Sequence, residues 1–251
     1  MRRYRILAAA LTMMVAAQAG AREKTQFANG EPVHPDPGKA LIAVREIISP
    51  DDYDVSIVLV RALDTETYRA VVASRRNDGS YRFAPDNVVY NRIDAPYASN
   101  GTERLFLFSV PPGDYAVAGI ATVNKNSGPM RTCLCMGTVS FHAEAGRITD
   151  MGTFLAARDN LPTGIPELAP LVRGYDIHIQ PTPYVAAIRL ARDSSALPAA
   201  LALLDPLPAE YRAVDKFPNS LGGSVERLAP LAGVLGYQDD KVLDLKAMPQ
   251  E

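Results

Sequence analysis

The chain has 251 residues, 20 of them Pro and none Trp, with 26 Lys+Arg against 28 Asp+Glu. That weakly acidic balance argues against nucleic acid or an anionic membrane surface as the main partner. The length suffices for one sizeable domain or two small ones, and the proline content points to many short elements and turns.

The N-terminus has the three parts of an export signal. Arg2, Arg3 and Arg5 form a positive start, Ile6 to Ala17 is an uncharged and mostly apolar run, and Ala17-Gln18-Ala19 and Ala19-Gly20-Ala21 are small-x-small cleavage sites. The run falls short of the roughly 20 residues that span a bilayer. Residues 1–21 therefore read as a cleavable signal peptide, and the mature chain is expected in the periplasm or outside the cell. No cysteine follows the cleavage site to carry a lipid anchor. Removing the three arginines leaves 23 Lys+Arg against 28 Asp+Glu, a net charge of −5. No later segment is long and apolar enough to predict a membrane span.

Residues 22–38 are polar, carry Pro32, Pro35 and Pro37, and read as an extended leader. From Lys39 the texture changes to short β-branched and aliphatic runs: "KALIAVREI", "VSIVLVRAL", "YRAVVAS", "SYRFAP", "ERLFLFSV", "DYAVAGIATV", "RTCLCMG", "TVSFHAEA" and "RITDMGTFL". Turn residues separate most of them, as in "SPDDYD", "RNDG", "PPGD", "NKNSGP" and "AEAG". Short strands at this spacing predict an all-β domain over 39–155, an antiparallel β-sandwich. In "LFLFSV" both alternating faces are largely apolar, so this strand is expected inside its sheet. Pro111-Pro112-Gly113-Asp114 then supplies a reversal, with proline pre-setting φ and glycine permitting φ > 0. A second hairpin is expected in "VSFHAEAGRITDMGTF", turning at Ala145-Gly146.

The stretch "FSVPPGDYAV" resembles the "lpPGxYxv" hairpin of prealbumin-like and carboxypeptidase regulatory-like β-sandwich modules. "VSFHAEAGRITDMG" resembles the "xFxvxaGkxxyxG" ending of bacterial envelope proteins with the same hairpin. The resemblance covers about Lys39 to Leu155 and rests on turn chemistry. It implies an immunoglobulin/prealbumin-like fold and a non-catalytic role in binding, spacing or stabilising; it carries over no ligand residues.

From Ala156 the chain becomes proline-rich, with 11 of its 20 prolines between Pro162 and Pro249. Residues 156–251 are expected as a mostly irregular extension packed on the sandwich. "DNLPTGIPELAPL" reads as a linker, and "GYDIHIQPTPYVAAIRL" as one or two extended segments. A short helix is expected from a Ser195 cap, with Pro198 in its first turn and Pro206 and Pro208 ending it.

The only cysteines, Cys133 and Cys135, are one residue apart. On a strand they share a face, with Leu134 opposite. Three readings fit. The pair is a candidate disulfide, favoured by an oxidising compartment, though the small ring distorts an extended backbone and makes the bond easy to reduce; it would then suit thiol–disulfide exchange. With His142, Met130, Met136 and Met151 the cysteines form a candidate soft-metal set suited to Cu(I). Or they are two small side chains filling a β core. The metal set is weakened because Met130 and Met136 fall on the opposite strand face, and no second Cys-x-Cys or Cys-x-x-Cys gives the usual zinc spacing.

Other chemistry finds little foothold. There is no Gly-x-Ser-x-Gly elbow, no phosphate-cradling glycine loop and no dinucleotide fingerprint. His34 lies in the proline-rich leader, and His178 alternates with Ile177 and Ile179. The acidic groups Asp51-Asp52-Asp54 and Asp239-Asp240 lack calcium-loop spacing and read as turn or cap residues. The expectation is an exported, non-enzymatic sandwich protein that needs no cofactor and has another envelope protein as its partner.

Overall fold

The computed structural model describes residues 26–49, 54–61, 72–75, 81–83, 88–90, 95–124, 128–174, 183–219 and 221–248. The expected signal peptide, Asp51, Asp52 and His178 lie outside the described residues. The chain is mostly β. Its strands are β1 (Gln26–Phe27), β2 (Ala40–Ser49), β3 (Asp54–Arg61), β4 (Val72–Arg75), β5 (Tyr81–Phe83), β6 (Val88–Tyr90), β7 (Ala98–Asn100), β8 (Glu103–Val110) and β9 (Gly113–Asn124). They continue as β10 (Gly128–Cys133), β11 (Thr138–Ala143), β12 (Ile148–Arg158), β13 (Tyr184–Arg189), β14 (Leu207–Pro208), β15 (Arg212–Val214), β16 (Ser224–Val225), β17 (Leu235–Gln238) and β18 (Lys241–Asp244).

Most strands fall into two seven-stranded sheets. The first runs β1-β8-β2-β12-β13, with β7 beside β8 and β14 beside β12. In the second, β9 pairs with β3 along one edge and with β10 and β11 along the other; β6 flanks β3, β16 flanks β10 and β15 flanks β11. The sheets are mixed, not purely antiparallel as the sequence pattern suggested. β2 runs parallel to β12, β14 parallel to β12 and β16 parallel to β10. The reason is burial: β2 and β12 lie at the middle of their sheet, covered on both faces, where near-continuous apolar runs and parallel pairing go together.

One apolar core joins the sheets. Ile42 and Val44 of β2, Phe106 and Phe108 of β8 and Phe154 of β12 meet Ile57 and Leu59 of β3, Val117 and Ile120 of β9 and Phe141 of β11. Tyr115 stacks on Phe141 at 6.2 Å between centroids, and Tyr211 meets Phe141 edge-on at 5.8 Å. The outer face of the first sheet is covered as well. Leu41, Ala43, Leu105, Leu107 and Ile148 pack under Tyr97 and Leu201, so β8 is interior on both faces as its pattern predicts.

Both expected hairpins are corrected. β8 lies in the first sheet and β9 in the second, so Pro111-Pro112 is a corner between layers and the two strands do not pair. β11 and β12 likewise lie in different sheets, although Gly146 turns at φ +72 as expected. A local turn signal reports reversal, and the side on which the chain lands depends on partners remote in sequence. The expected helix is present but starts at Ala199 and ends at Ala202, with Pro198 as its N-cap. Ser195 instead lies before it, exposed and hydrogen-bonded to Glu103.

The C-terminal part supplies strands to both layers. β12 runs past Leu155 to Arg158, β13 extends the first sheet, and β15 and β16 extend the second.

Candidate thiol site and the C-terminal strap

Antiparallel β10 and β11 follow each other along the same edge of β9. Cys133 pairs with Gly119 and Ser140 with Ala116, so only Val117 and Ala118 of β9 stand opposite residues 134–139. The excess chain loops out as a turn at 134–137. Leu134 N–H still donates to Ala118 O at 2.9 Å, and the Thr138 hydroxyl to Val117 O at 2.8 Å, which seals β9 across the interruption.

Cys133 ends β10 and Cys135 sits in this turn. Neither forms a disulfide in this structure, and they are 0% and 3% exposed. They share an apolar cluster on the outer face of the second sheet with Val58, Val60, Ala118, Phe217 and Leu221, whereas Leu134 points into the core between the sheets. The same-face geometry expected of the pair therefore holds, carried by a strand end and a turn in place of one strand. The Cys135 thiol donates to Cys133 O at 3.8 Å. A hydrogen bond from the Cys133 side chain lowers the Cys135 pKa and outweighs burial, which raises it.

The rest of the soft-metal set is scattered. Met151 lies in the inter-sheet core and Met136 is exposed on the turn. The Met130 side chain is outside the described residues. His142 pairs across to Asp114 on β9 while Cys133 pairs to Gly119. Five residues along a strand is about 16 Å, too far for one ion to bridge. The exposed His142 Nδ1 lies 2.9 Å from Asp114 Oδ1. His34 is exposed on the leader. Asp239 and Asp240, at φ 48 and 63, form the two-residue turn of the β17–β18 hairpin, the backbone role expected of them.

Around the thiol turn winds a strap, residues 217–219 and 221–228, which no sequence motif announced. Phe217 N–H donates to Cys135 O at 3.0 Å and Glu226 N–H to Cys133 O at 2.8 Å. Met136 N–H donates to Glu226 O and Leu228 N–H to Gly137 O. The Tyr237 hydroxyl reaches both Leu228 O, at 2.7 Å, and Gly137 O, at 3.2 Å. Close approach needs glycine here. A Cβ on Gly137, at φ +142, would stand 2.7 Å from the Tyr237 ring, and one on Gly223 would stand 1.9 Å from Arg131 O. The strap then crosses layers. Ser224 and Val225 pair with β10, Ala229 N–H donates to Ala186 O on β13, and Tyr184 N–H donates to the Thr132 hydroxyl. Arg173 adds a charged tie, bonding buried Asp159 at 2.6 Å and also Glu226.

The sequence reading also missed a buried ion pair. Arg45 on β2 bonds Asp150 on β12, at 2.7 and 3.2 Å, on the outer face of the first sheet. Asp150 also accepts from Gly152 N–H at a bulge where Gly152 takes φ +80. The two residues are 105 apart in sequence, so no local spacing reveals them. Among the described residues, no three His, Cys, Asp or Glu side chains gather as a metal site, and no helix is long and apolar enough to cross a membrane. No protein-family model, curated protein or solved structure matches the chain.

Proposed function

We propose that this chain is an exported β-sandwich protein with a binding or structural role in the cell envelope. The observation that carries the reading is the N-terminal pattern: arginines at 2, 3 and 5, the apolar run Ile6–Ala17, and the Ala-x-Ala cleavage sites. The finer likeness to prealbumin-like modules is part of the proposal. Its support is the "VPPGDY" corner, where the Tyr115 hydroxyl returns to Pro111 O at 2.6 Å, together with two layers sharing one core. The parallel β2–β12 pairing departs from a purely antiparallel sandwich. The Cu(I) alternative has only the two buried sulfurs in its favour, since His142 and Met151 lie elsewhere.

The test is export and retention. Produced from its own start codon in a bacterial host, the chain is expected in the periplasmic fraction with its N-terminus removed to about residue 21. The mature protein is then expected to sediment with envelope fragments. Uncleaved protein in the cytosol defeats the export half, and sedimentation no better than that of an inert control defeats the envelope role.

A further inference from the structure

The two thiols lie where the strap meets the turn. Cys133 O and Cys135 O accept two of its backbone hydrogen bonds, and Phe217 and Leu221 share the apolar cluster of the thiols. We propose that Cys133 and Cys135 are a redox-controlled clasp: as a dithiol they hold the strap across the edge of the two sheets, and as a disulfide they release it. This goes beyond the envelope role and does not depend on what the protein binds there.

The reaction needs a disulfide oxidant such as oxidised glutathione. Cys135 as thiolate attacks one sulfur of that disulfide; a mixed disulfide forms and one glutathione thiolate leaves. Cys133, giving up its proton, then attacks Cys135 Sγ, closes the Cys133–Cys135 bond and expels the second thiolate. Two protons leave the protein, two electrons pass to the oxidant, and two molecules of glutathione thiol result. Cys135 is the entry point because the neighbouring Cys133 thiol favours its ionised form.

Ring closure and strap closure compete for the same backbone. A disulfide fixes its two Cβ atoms about 3.8 Å apart, here across a single intervening residue between a strand end and a turn. Closing the bond tightens 133–135, a segment whose hydrogen bonds include Leu134 N–H to Ala118 O, Glu226 N–H to Cys133 O and Phe217 N–H to Cys135 O. It also anchors Leu134, 0% exposed in the inter-sheet core. With the strap closed the sulfurs are shielded, so oxidation proceeds from the opened strap and traps it open. The tight ring keeps the bond reducible, so the step reverses.

Hydrogen exchange on the full-length mature protein tests this, before and after oxidised glutathione, with intact mass and non-reducing electrophoresis. The expected result is a monomer that has lost two hydrogens and whose strap amides at 217–219 and 221–228 exchange at least about tenfold faster, with thiol reductant restoring the original pattern. A Cys133→Ala, Cys135→Ala double variant is expected to ignore the oxidant. Failure to lose two hydrogens, disulfides only between molecules, unchanged or slower exchange in the strap, or the same acceleration in the double variant each overturns the proposal. The wild-type comparison stands even if the double variant does not fold.

Discussion

Arg45 and Asp150 show what a single pair of residues contributes. Both are nearly buried, and the guanidinium meets the carboxylate through two hydrogen bonds. Such a pair adds little net stability over an apolar replacement, but breaking it strands a charge away from water. Asp150→Ala is therefore expected to cost about 3–5 kcal/mol, because Arg45 keeps its charge and loses its partner. The Arg45→Met, Asp150→Leu double variant is expected to recover most of that loss. Urea unfolding of the three proteins measures it, and a double variant less stable than Asp150→Ala contradicts the argument. The pair was not legible in the sequence: "AVREI" and "ITDMG" each look like an apolar strand with two ordinary polar residues. Only the parallel register of β2 on β12 brings the charges together. The cysteines were legible because their relation is local: alternate residues share a face whether the second ends a strand or begins a turn.

Among elements, the corner after β8 shows where reading a sequence stops. Pro111-Pro112-Gly113 reports a reversal correctly, and Gly113 takes φ +142. It does not report that β9 lands in the opposite sheet, because both strands are apolar on both faces and either layer accepts them. Tyr115 is what fixes the corner: its ring stacks on Phe141 in the core and its hydroxyl bonds Pro111 O, four residues back. Tyr115→Phe keeps the ring and removes that one hydrogen bond, so it is expected to destabilise by about 1 kcal/mol. Amide exchange is expected to quicken around the corner and not in β12. Equal effects on both strands would mean that the hydroxyl holds the layers together and not the corner. The strap was illegible for a related reason. "FPNSLGGSVERL" carries no strand-like periodicity, and its order comes from lying along an interruption in another strand.

For the whole molecule, the layers are tied by groups whose protonation matters. Burial raises the phenol pKa of Tyr115, Tyr211 and Tyr237 above the ordinary value, most strongly for Tyr211, whose proton goes to Met151 O at 2.7 Å. Each hydroxyl joins separate parts: Tyr211 reaches from beside β15 in one sheet to β12 in the other, and Tyr237 holds the thiol turn to the strap. In the unfolded chain the same phenols ionise near pH 10. Above that pH the folded state binds more protons than the unfolded state, so stability must fall as pH rises. The stabilisation is fully present below about pH 10 and is lost above it, at up to about 1.4 kcal/mol per pH unit for each tyrosine held protonated. Tyr237, partly open to solvent, contributes less than Tyr115 and Tyr211. Urea midpoints measured from about pH 8 to about pH 11 are expected to drop steeply for the wild type. Tyr211→Phe starts lower, having lost the bond to Met151 O, and then falls less steeply because one fewer phenol is linked to folding. Every other ionisable group is common to both proteins, so the difference in slope isolates Tyr211. Parallel curves would mean that Tyr211 ionises as readily folded as unfolded, which is incompatible with its burial between the sheets.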